Sequence, residues 1–276
     1  YKPLTLGLAL QRLGHARQVF GVVHELGQFD GRRRWAITCA SRTPPTLIAV
    51  SDAVRADLQR RFPTLPPERV RALPNAVSDC PQRPRESALA ALKLSPQRFW
   101  FGSVGRLVPV KGQDLLLRAF APLARDLPDV GLALVGAGRE EAGLRALCRQ
   151  LAIEDRVAFC GWREDARALL GAFDVCVFPS RDEGFGLAIA EAMSAARPVI
   201  AAAVGAVPEL LGGVAALVPV DDLPALTAAL RRLHDDAGLR TTMGAALRQR
   251  WQEHFSPRRF TERLQCLAGE ATGANA

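Results

Sequence analysis

Short apolar runs alternate with amphipathic stretches along nearly the whole chain, and this rhythm restricts the fold more than any other feature of the sequence. Strand candidates fall at 18–23, 46–50, 70–73, 99–104, 130–135, 156–160, 174–178, 198–202 and 215–218. Helical patterns lie between most of them, at 112–125, 139–152, 164–172, 187–195 and 222–234, and Ser51-Asp-Ala-Val54 opens another with an N-cap residue. Strands separated by helices build parallel sheets with helices on both faces, so the expected fold class is α/β and doubly wound.

The Pro- and charge-rich piece Pro74–Pro96 interrupts the rhythm and reads as an interdomain linker. The six strands beyond it suffice for one complete doubly wound domain, about 97–245. The piece before it carries only three, few for a domain of roughly 100–200 residues, so its first half is expected to be missing. The chain begins Tyr-Lys-Pro without Met and enters a helical pattern at once (Leu4, Leu6, Leu8, Leu10, Leu13), as a segment of a longer protein would. The expected division is 1–95, 96–245 and a terminal helical region 246–276, with Trp251, Phe255, Phe260 and Leu264 as its large apolar groups and a disordered tail from Ala268.

Of 276 residues, 49% are hydrophobic and 23% charged, a globular composition. No apolar run approaches the roughly 18 residues a membrane span requires, and no charged-then-apolar signal peptide opens the chain. The six cysteines (39, 80, 148, 160, 176 and 266) show no CxxC pairing and read as reduced, buried thiols of a cytoplasmic protein. Residues 1–100 hold 16 Lys and Arg against 7 Asp and Glu, whereas the remainder is close to neutral. A basic front half points to an anionic partner, such as a membrane face or a phosphorylated acceptor. An Arg-rich genome accounts for the same excess equally well, since 33 of the 36 basic residues are Arg. Nucleic acid is disfavoured, because no aromatic residues interleave with the basic ones as a stacking platform would need.

The stretch Glu183-Gly-Phe-Gly-Leu-Ala-Ile-Ala-Glu191 sets two carboxylates eight positions apart, directly after the strand-like Asp174-Val-Cys-Val-Phe-Pro-Ser-Arg181. A strand, a glycine turn and a helix start make a place where backbone N–H groups can face an anion. Ser103-Val-Gly-Arg-Leu-Val-Pro-Val-Lys-Gly112 is the second constellation. Gly105 allows a sharp turn, Arg106 and Lys111 supply two cations, and Gly112 opens the next helix. In open α/β sheets ligands bind beyond the carboxyl ends of strands, where Arg106, Lys111 and the Glu183–Gly186 turn all lie. The simplest ligand meeting two cations and a helix N-terminus is a diphosphate. Eight helical residues rise about 12 Å, too far for a glycosidase pair at about 5–9.5 Å. Two separate contacts on one elongated ligand fit Glu183 and Glu191 better. Weaker features are the strand-to-helix turn around Gly136, the Phe159-Cys-Gly-Trp162 segment whose backbone could frame a base, and His24 at the end of an apolar run. Trp162 reads equally as packing or stacking. The sequence holds no Asp-x-Asp pair and no Cys/His cluster for a metal.

Gly105-Arg106, Lys111-Gly112, Val135-Gly-Ala-Gly138, Val157–Gly161, Phe178-Pro-Ser180, the spaced glutamates and Gly205-Ala-Val-Pro-Glu209 occur in that order, after Val50-Ser51 and Pro74-Asn-Ala-Val77. Over residues 15–235 this ordered set closely resembles the retaining family-4 glycosyltransferases. The resemblance implies the GT-B architecture, two Rossmann-like doubly wound domains, with the N-terminal one incomplete here. It implies a nucleotide-diphospho-sugar as donor substrate, with no metal and no further cofactor. Arg106 and Lys111 would neutralise the diphosphate. Glu183 would hold donor-sugar hydroxyls, with the backbone amides of Phe185, Gly186 and Leu187 touching sugar and phosphate. Glu191 would bond the ribose, and His24 would face the donor sugar. Gly105, Gly136 and Phe159 complete the donor contacts. The acceptor hydroxyl would attack the anomeric carbon from the leaving-group face while a phosphate oxygen takes its proton, so stabilisation of the departing diphosphate would dominate catalysis.

Three departures stand out: Ala76 in a usual Pro-Asn-Gly, Ala196-Arg197 where glycine and a small residue are common, and Ala206 in a usual Gly-Gly. None removes a charged site group, but the family's first strand and its Gly-rich loop have no counterpart. The expected acceptor is a glycan or lipid-linked precursor in bacterial cell-surface polysaccharide or lipopolysaccharide synthesis. The location is cytoplasmic, with peripheral contact at the inner membrane face as an option. The alternatives are a truncated paralogue that binds nucleotide sugar without transfer, and another GT-B enzyme such as a nucleotide-sugar epimerase, which would turn over its substrate with no acceptor.

Overall fold

In the computed structural model, residues 2–16, 18–29 and 44–273 are described; Cys39 lies outside them. Contacts divide the chain into two units, Tyr1–Asn75 with Glu183–Phe185 and Phe260–Ala276, and Ala76–Asp182 with Gly186–Arg259.

The first unit contains α1 (Lys2–Arg12), β1 (Phe20–Val23), β2 (Thr46–Ala49), α2 (Asp52–Arg61) and β3 (Val70–Ala72). Its three described strands pair in parallel in the order β1-β2-β3. Ser51 starts α2 as the sequence predicts: its Oγ accepts the Val54 N–H at 3.1 Å, satisfying one of the donors a helix start leaves open. Val54 and Leu58, one turn apart, are the buried stripe of that helix.

The second unit begins inside the stretch expected to be a linker. Helix α3 (Arg85–Leu92) forms there and buries Ala88, Leu89 and Leu92. Pro84 reads as a breaker, but it stands just before the first turn, where a missing N–H costs nothing. Arg85 ties the helix to the sheet by an ion pair with Asp174 at 2.9 Å.

Beyond it lie β4 (Phe99–Val104), α4 (Gln113–Asp126), β5 (Val130–Val135), α5 (Glu141–Leu151), β6 (Val157–Gly161), β7 (Val175–Phe178), α6 (Leu187–Ser194), β8 (Val199–Ala202), α7 (Val207–Leu211), β9 (Ala216–Val218), α8 (Leu223–Asp235) and α9 (Ala237–His254). The last helix, α10 (Pro257–Gly273), contributes its residues from Phe260 onward to the first unit. It continues into the segment expected to be a disordered tail, where Ala268, Glu270 and Ala271 are good helix formers. The pattern at 164–172 forms a 3-10 helix, Ala166–Ala172, rather than an α-helix. Its steeper rise of about 2.0 Å per residue lets a short segment cross back along the sheet.

The six strands are all parallel, in the order β6-β5-β4-β7-β8-β9. Every residue of β5, β7 and β8 is buried, as expected of a sheet covered on both faces. From β4 the chain first adds strands to one side, then crosses back and adds β7, β8 and β9 to the other. The order therefore reverses between β4 and β7, and at their carboxyl ends the two connections diverge and leave a crevice.

Candidate functional site

The loop after β4 carries the cationic candidates. Gly105 and Arg106 follow the strand directly, and a 3-10 turn (Pro109–Lys111) leads through Gly112, in the left-handed region at φ 68°, into α4. The Arg106 side chain is exposed. Its backbone is held in place: the Leu107 N–H donates to Ala137 O at 3.0 Å, and Gln113 Nε2 donates to the Arg106 carbonyl at 3.0 Å. Among the described residues no carboxylate pairs with the Arg106 guanidinium. An exposed cation on a fixed backbone, with no internal counter-ion, is suited to an external anion.

Gly136, at the end of β5, packs directly beneath this loop. A Cβ there would stand 1.9 Å from the Gly105 carbonyl oxygen, and φ is 146°. Only glycine permits the two strand ends to approach so closely. The Gly136 N–H donates to Gly161 O at 2.8 Å, linking the ends of β5 and β6.

On the other side of the reversal, β7 leads towards α6. Gly186 stands before the helix at φ 95°, and no side chain caps the first turn. The open N–H groups and positive dipole end there complement an anion. Leu187 opens the helix and is exposed. Glu191 lies one turn further in, half-buried, and pairs with Arg167 at 3.3 Å. Burial pushes the Glu191 carboxyl above its ordinary range, and Arg167 opposes that only in part.

Arg181, which the sequence reading used only as a strand end, ties this edge together. Its N–H donates to Val110 O at 2.7 Å. Its guanidinium bonds Asp114 and Asp221 and the carbonyl of Pro109. Burial alone would raise the Asp114 carboxyl, but the bonds and charge of Arg181 outweigh it and hold the group below the ordinary range. The Lys111 turn is thereby fastened to the exit of β7. Arg167 was likewise missed, hidden in a helical pattern. The available signal for both was a charged residue in the connection leaving a strand beside the reversal.

Phe159, on the edge strand β6, is half-buried, and the Arg145 guanidinium covers one face of its ring at 4.2 Å from the ring centre. A backbone contact from this segment remains open to a ligand. Trp162 is 71% exposed, which removes core packing as its role. Arg163 and Asp165, joined at 2.9 and 3.0 Å, brace the loop behind it.

The remaining candidates, His24, Glu183 and Phe185, belong to the first unit. Ser51 Oγ donates to Gly184 O at 2.8 Å. A Cβ on Gly184 would stand 2.1 Å from the His24 carbonyl oxygen. The structure thus brings the His24 backbone against the segment carrying Glu183. Phe185 is buried, and His24 is exposed.

Among the described residues no three His, Cys, Asp or Glu side chains are grouped to hold a metal ion. No described helix is long and apolar enough to cross a membrane. Cys148 and Cys176 are buried, Cys80 and Cys160 half-buried, and all four are free. Cys266 is free and exposed, against the expectation of buried thiols; it lies on an open face of α10. Burial pushes Cys148 and Cys160 up to about 11 and Cys176 up to about 12, which makes them poor nucleophiles.

A doubly wound sheet with a basic loop and an uncapped helix start flanking its strand-order reversal belongs to the α/β class whose ligands bind at that reversal. The sequence profile of the family described as glycosyl transferases group 1 matches residues 98–236, half of the chain, and the chain belongs to that family. It is 42% identical over 132 residues to the D-inositol 3-phosphate glycosyltransferase of Mycobacterium sp. (strain KMS), covering 45% of this chain and 29% of that protein. With the protein of the same description from Saccharomonospora viridis it shares 33% over 245 residues, 82% of this chain and 56% of the other. The chain therefore spans about half or less of the length of these relatives. In structure it is similar to Anabaena Alr3699/HepE in complex with UDP and glucose, with a TM-score of 0.85, 24% identity, and coverage of 97% of this chain and 75% of that one. That likeness shows the fold, α/β with Rossmann-like units of the GT-B kind.

Proposed function

We propose that the chain carries the donor side of a retaining glycosyltransferase, which moves a sugar from a nucleotide-diphospho-sugar to an acceptor hydroxyl. The observation that carries this reading is the pairing of an exposed, carboxylate-free Arg106 after β4 with the uncapped start of α6 after β7, across the strand-order reversal. Arg106 and Lys111 meet the diphosphate charge in place of a metal ion, and the α6 N–H groups take phosphate or sugar oxygens. Glu191 bonds the ribose, and Glu183 the hydroxyls of the donor sugar. As the acceptor attacks, negative charge gathers on the leaving diphosphate, and the fixed cations stabilise it there more than in the ground state. The leaving phosphate oxygen takes the acceptor's proton. His24 contacts the donor sugar.

The acceptor is a hydroxyl compound bearing phosphate, of the cell-envelope glycolipid or polysaccharide class. Two observations favour it: the relatives are described as inositol-phosphate glycosyltransferases, and residues 1–100 carry the chain's basic excess. The same excess favours work at the cytoplasmic face of an anionic membrane.

Calorimetric titration with UDP, GDP and ADP tests the donor site, and a clear ranking fixes the base. No binding by any of the three overturns the proposal. With the matching nucleotide sugar, NMR of the product should show the donor's anomeric configuration retained; inversion would contradict the mechanism.

A further inference from the structure

Arg167 and Glu191 form an ion pair of a different kind from the others on this edge. Arg167 leaves the 3-10 helix and faces α6, with Nε 3.3 Å from Glu191 Oε1. That nitrogen is buried and has no hydrogen-bond partner. A terminal guanidinium nitrogen of Arg167 donates instead to the Ser78 carbonyl. Arg167 is thus anchored at one end by backbone, while its charge lies against a carboxylate that it does not occupy through a fork.

The anchor is itself fixed. Asp79 accepts two hydrogen bonds from Arg248, at 2.7 and 2.6 Å, and Arg248 also donates to the Ser194 carbonyl at the end of α6. Its guanidinium stacks on Trp251 at 4.5 Å, and Trp251 Nε1 donates to Val77 O at 3.0 Å. Residues 77–79, α6 and α9 therefore form one frame that sets the Arg167–Glu191 distance.

We propose that Arg167 is a positioning residue for the nucleoside: it fixes the Glu191 side chain as an aimed carboxylate whose free lone pairs accept the ribose 2′- and 3′-hydroxyls, and so makes the site select ribonucleotides over 2′-deoxyribonucleotides. This rests on the reading of Glu191 as the ribose contact. Half-buried without a cation, Glu191 would drift towards its neutral acid, a weaker acceptor. A hydrogen bond to a charged group is worth about 1.5–3 kcal/mol, against about 0.5–1.5 kcal/mol for a neutral pair. The remaining valences of the carboxylate are the ones a vicinal diol would fill.

The test is calorimetry with whichever of UDP, GDP and ADP binds most tightly, with its 2′-deoxy counterpart, and with inorganic pyrophosphate. The wild type should prefer the ribonucleotide by about tenfold or more, the size of one charge-assisted bond. Arg167→Gln should bring that ratio near one while pyrophosphate affinity is unchanged, and Arg167→Lys should restore part of it. A general loss of structure would lower pyrophosphate affinity as well and would leave Lys without effect; that result overturns the proposal. If Arg167→Gln keeps the preference while Glu191→Gln loses it, Arg167 has no such role. If the wild type shows no ribose preference although pyrophosphate binds, the ribose reading of Glu191 fails, and the role of Arg167 with it.

Discussion

Arg181 gives both terminal guanidinium nitrogens to Asp114, Nη1 to Oδ1 and Nη2 to Oδ2, each at 2.9 Å. Its Nε donates to Asp221 Oδ1 at 2.8 Å. Asp221 sits at φ 56°, a left-handed conformation that Asp tolerates better than most residues and that this bond helps to hold. With its donors taken by protein oxygens, Arg181 is a tie for the Lys111 turn and not a ligand for phosphate. The three side chains are partly exposed, so Arg181→Ala should cost only about 1–2 kcal/mol. For a domain of this size that lowers Tm by roughly 2–8 °C. Pyrophosphate affinity should fall too, because the turn loosens. Calorimetry beside thermal melts checks both, and a variant unchanged in both would show that the tie does nothing.

Arg106→Ala and Lys111→Ala should each leave folding intact and weaken donor binding. Arg106 is exposed, so its loss leaves no cavity. Each charge meeting a diphosphate is worth about 1.5–3 kcal/mol, or roughly tenfold or more in Kd. In the transfer reaction the loss should be larger, on the order of 100-fold, because charge builds on the leaving group. Circular dichroism and titration with the best-bound diphosphate measure the two effects. Full affinity in the double variant would remove the diphosphate role.

The fold was open to sequence reasoning because hydrophobic period and turn residues are local signals. All nine strands among the described residues lie within two residues of where apolar runs place them, and the Ser51 cap was visible from its neighbours. Helix α3 was hidden because prolines flank it, and proline marks a helix start as readily as a break. At the candidate site, Arg106 and Lys111 were recognisable as cations after a strand. Arg181 and Arg167 were not, because their partners are distant in sequence: Asp114 is 67 positions from Arg181, and the Ser78 carbonyl 89 from Arg167. Strand order decides such pairings, and one sequence does not state it.

Gly136 and Gly161 separate close approach from backbone preference. Both have positive φ, 146° and 68°. A Cβ on Gly136 would strike the Gly105 carbonyl at 1.9 Å, whereas one on Gly161 would meet nothing within 4 Å. Gly161→Ala should cost about 1–2 kcal/mol, the left-handed penalty alone. Gly136→Ala adds a collision with backbone that cannot rotate away, for roughly 3 kcal/mol or more, and it displaces the loop bearing Arg106. Urea melts of the two variants should rank them in that order. Equal midpoints would mean that the strand ends separate freely.

Acid should weaken the second unit through the carboxylates that arginines hold. Hydrogen bonds from Arg248 lead in keeping Asp79 below its ordinary value of 3.8. At Asp114, Arg181 overcomes the opposing effect of burial and does the same. A carboxyl with a lower pKa folded than unfolded binds fewer protons in the native state, so its stabilisation is full above the unfolded value and is lost as pH falls through the folded one. These two therefore contribute fully above about pH 4 and progressively less below it. Glu191 acts in the opposite sense: its raised folded pKa makes its ionisation a cost, which appears as pH rises past the unfolded value. Thermal melts from about pH 7 to pH 2.5 should show wild-type stability falling most steeply below about pH 4. Asp114→Asn should start lower at neutral pH and lose less over the acid range, because the group that would take up the proton is gone. Parallel curves for the two proteins would show that Arg181 does not perturb Asp114.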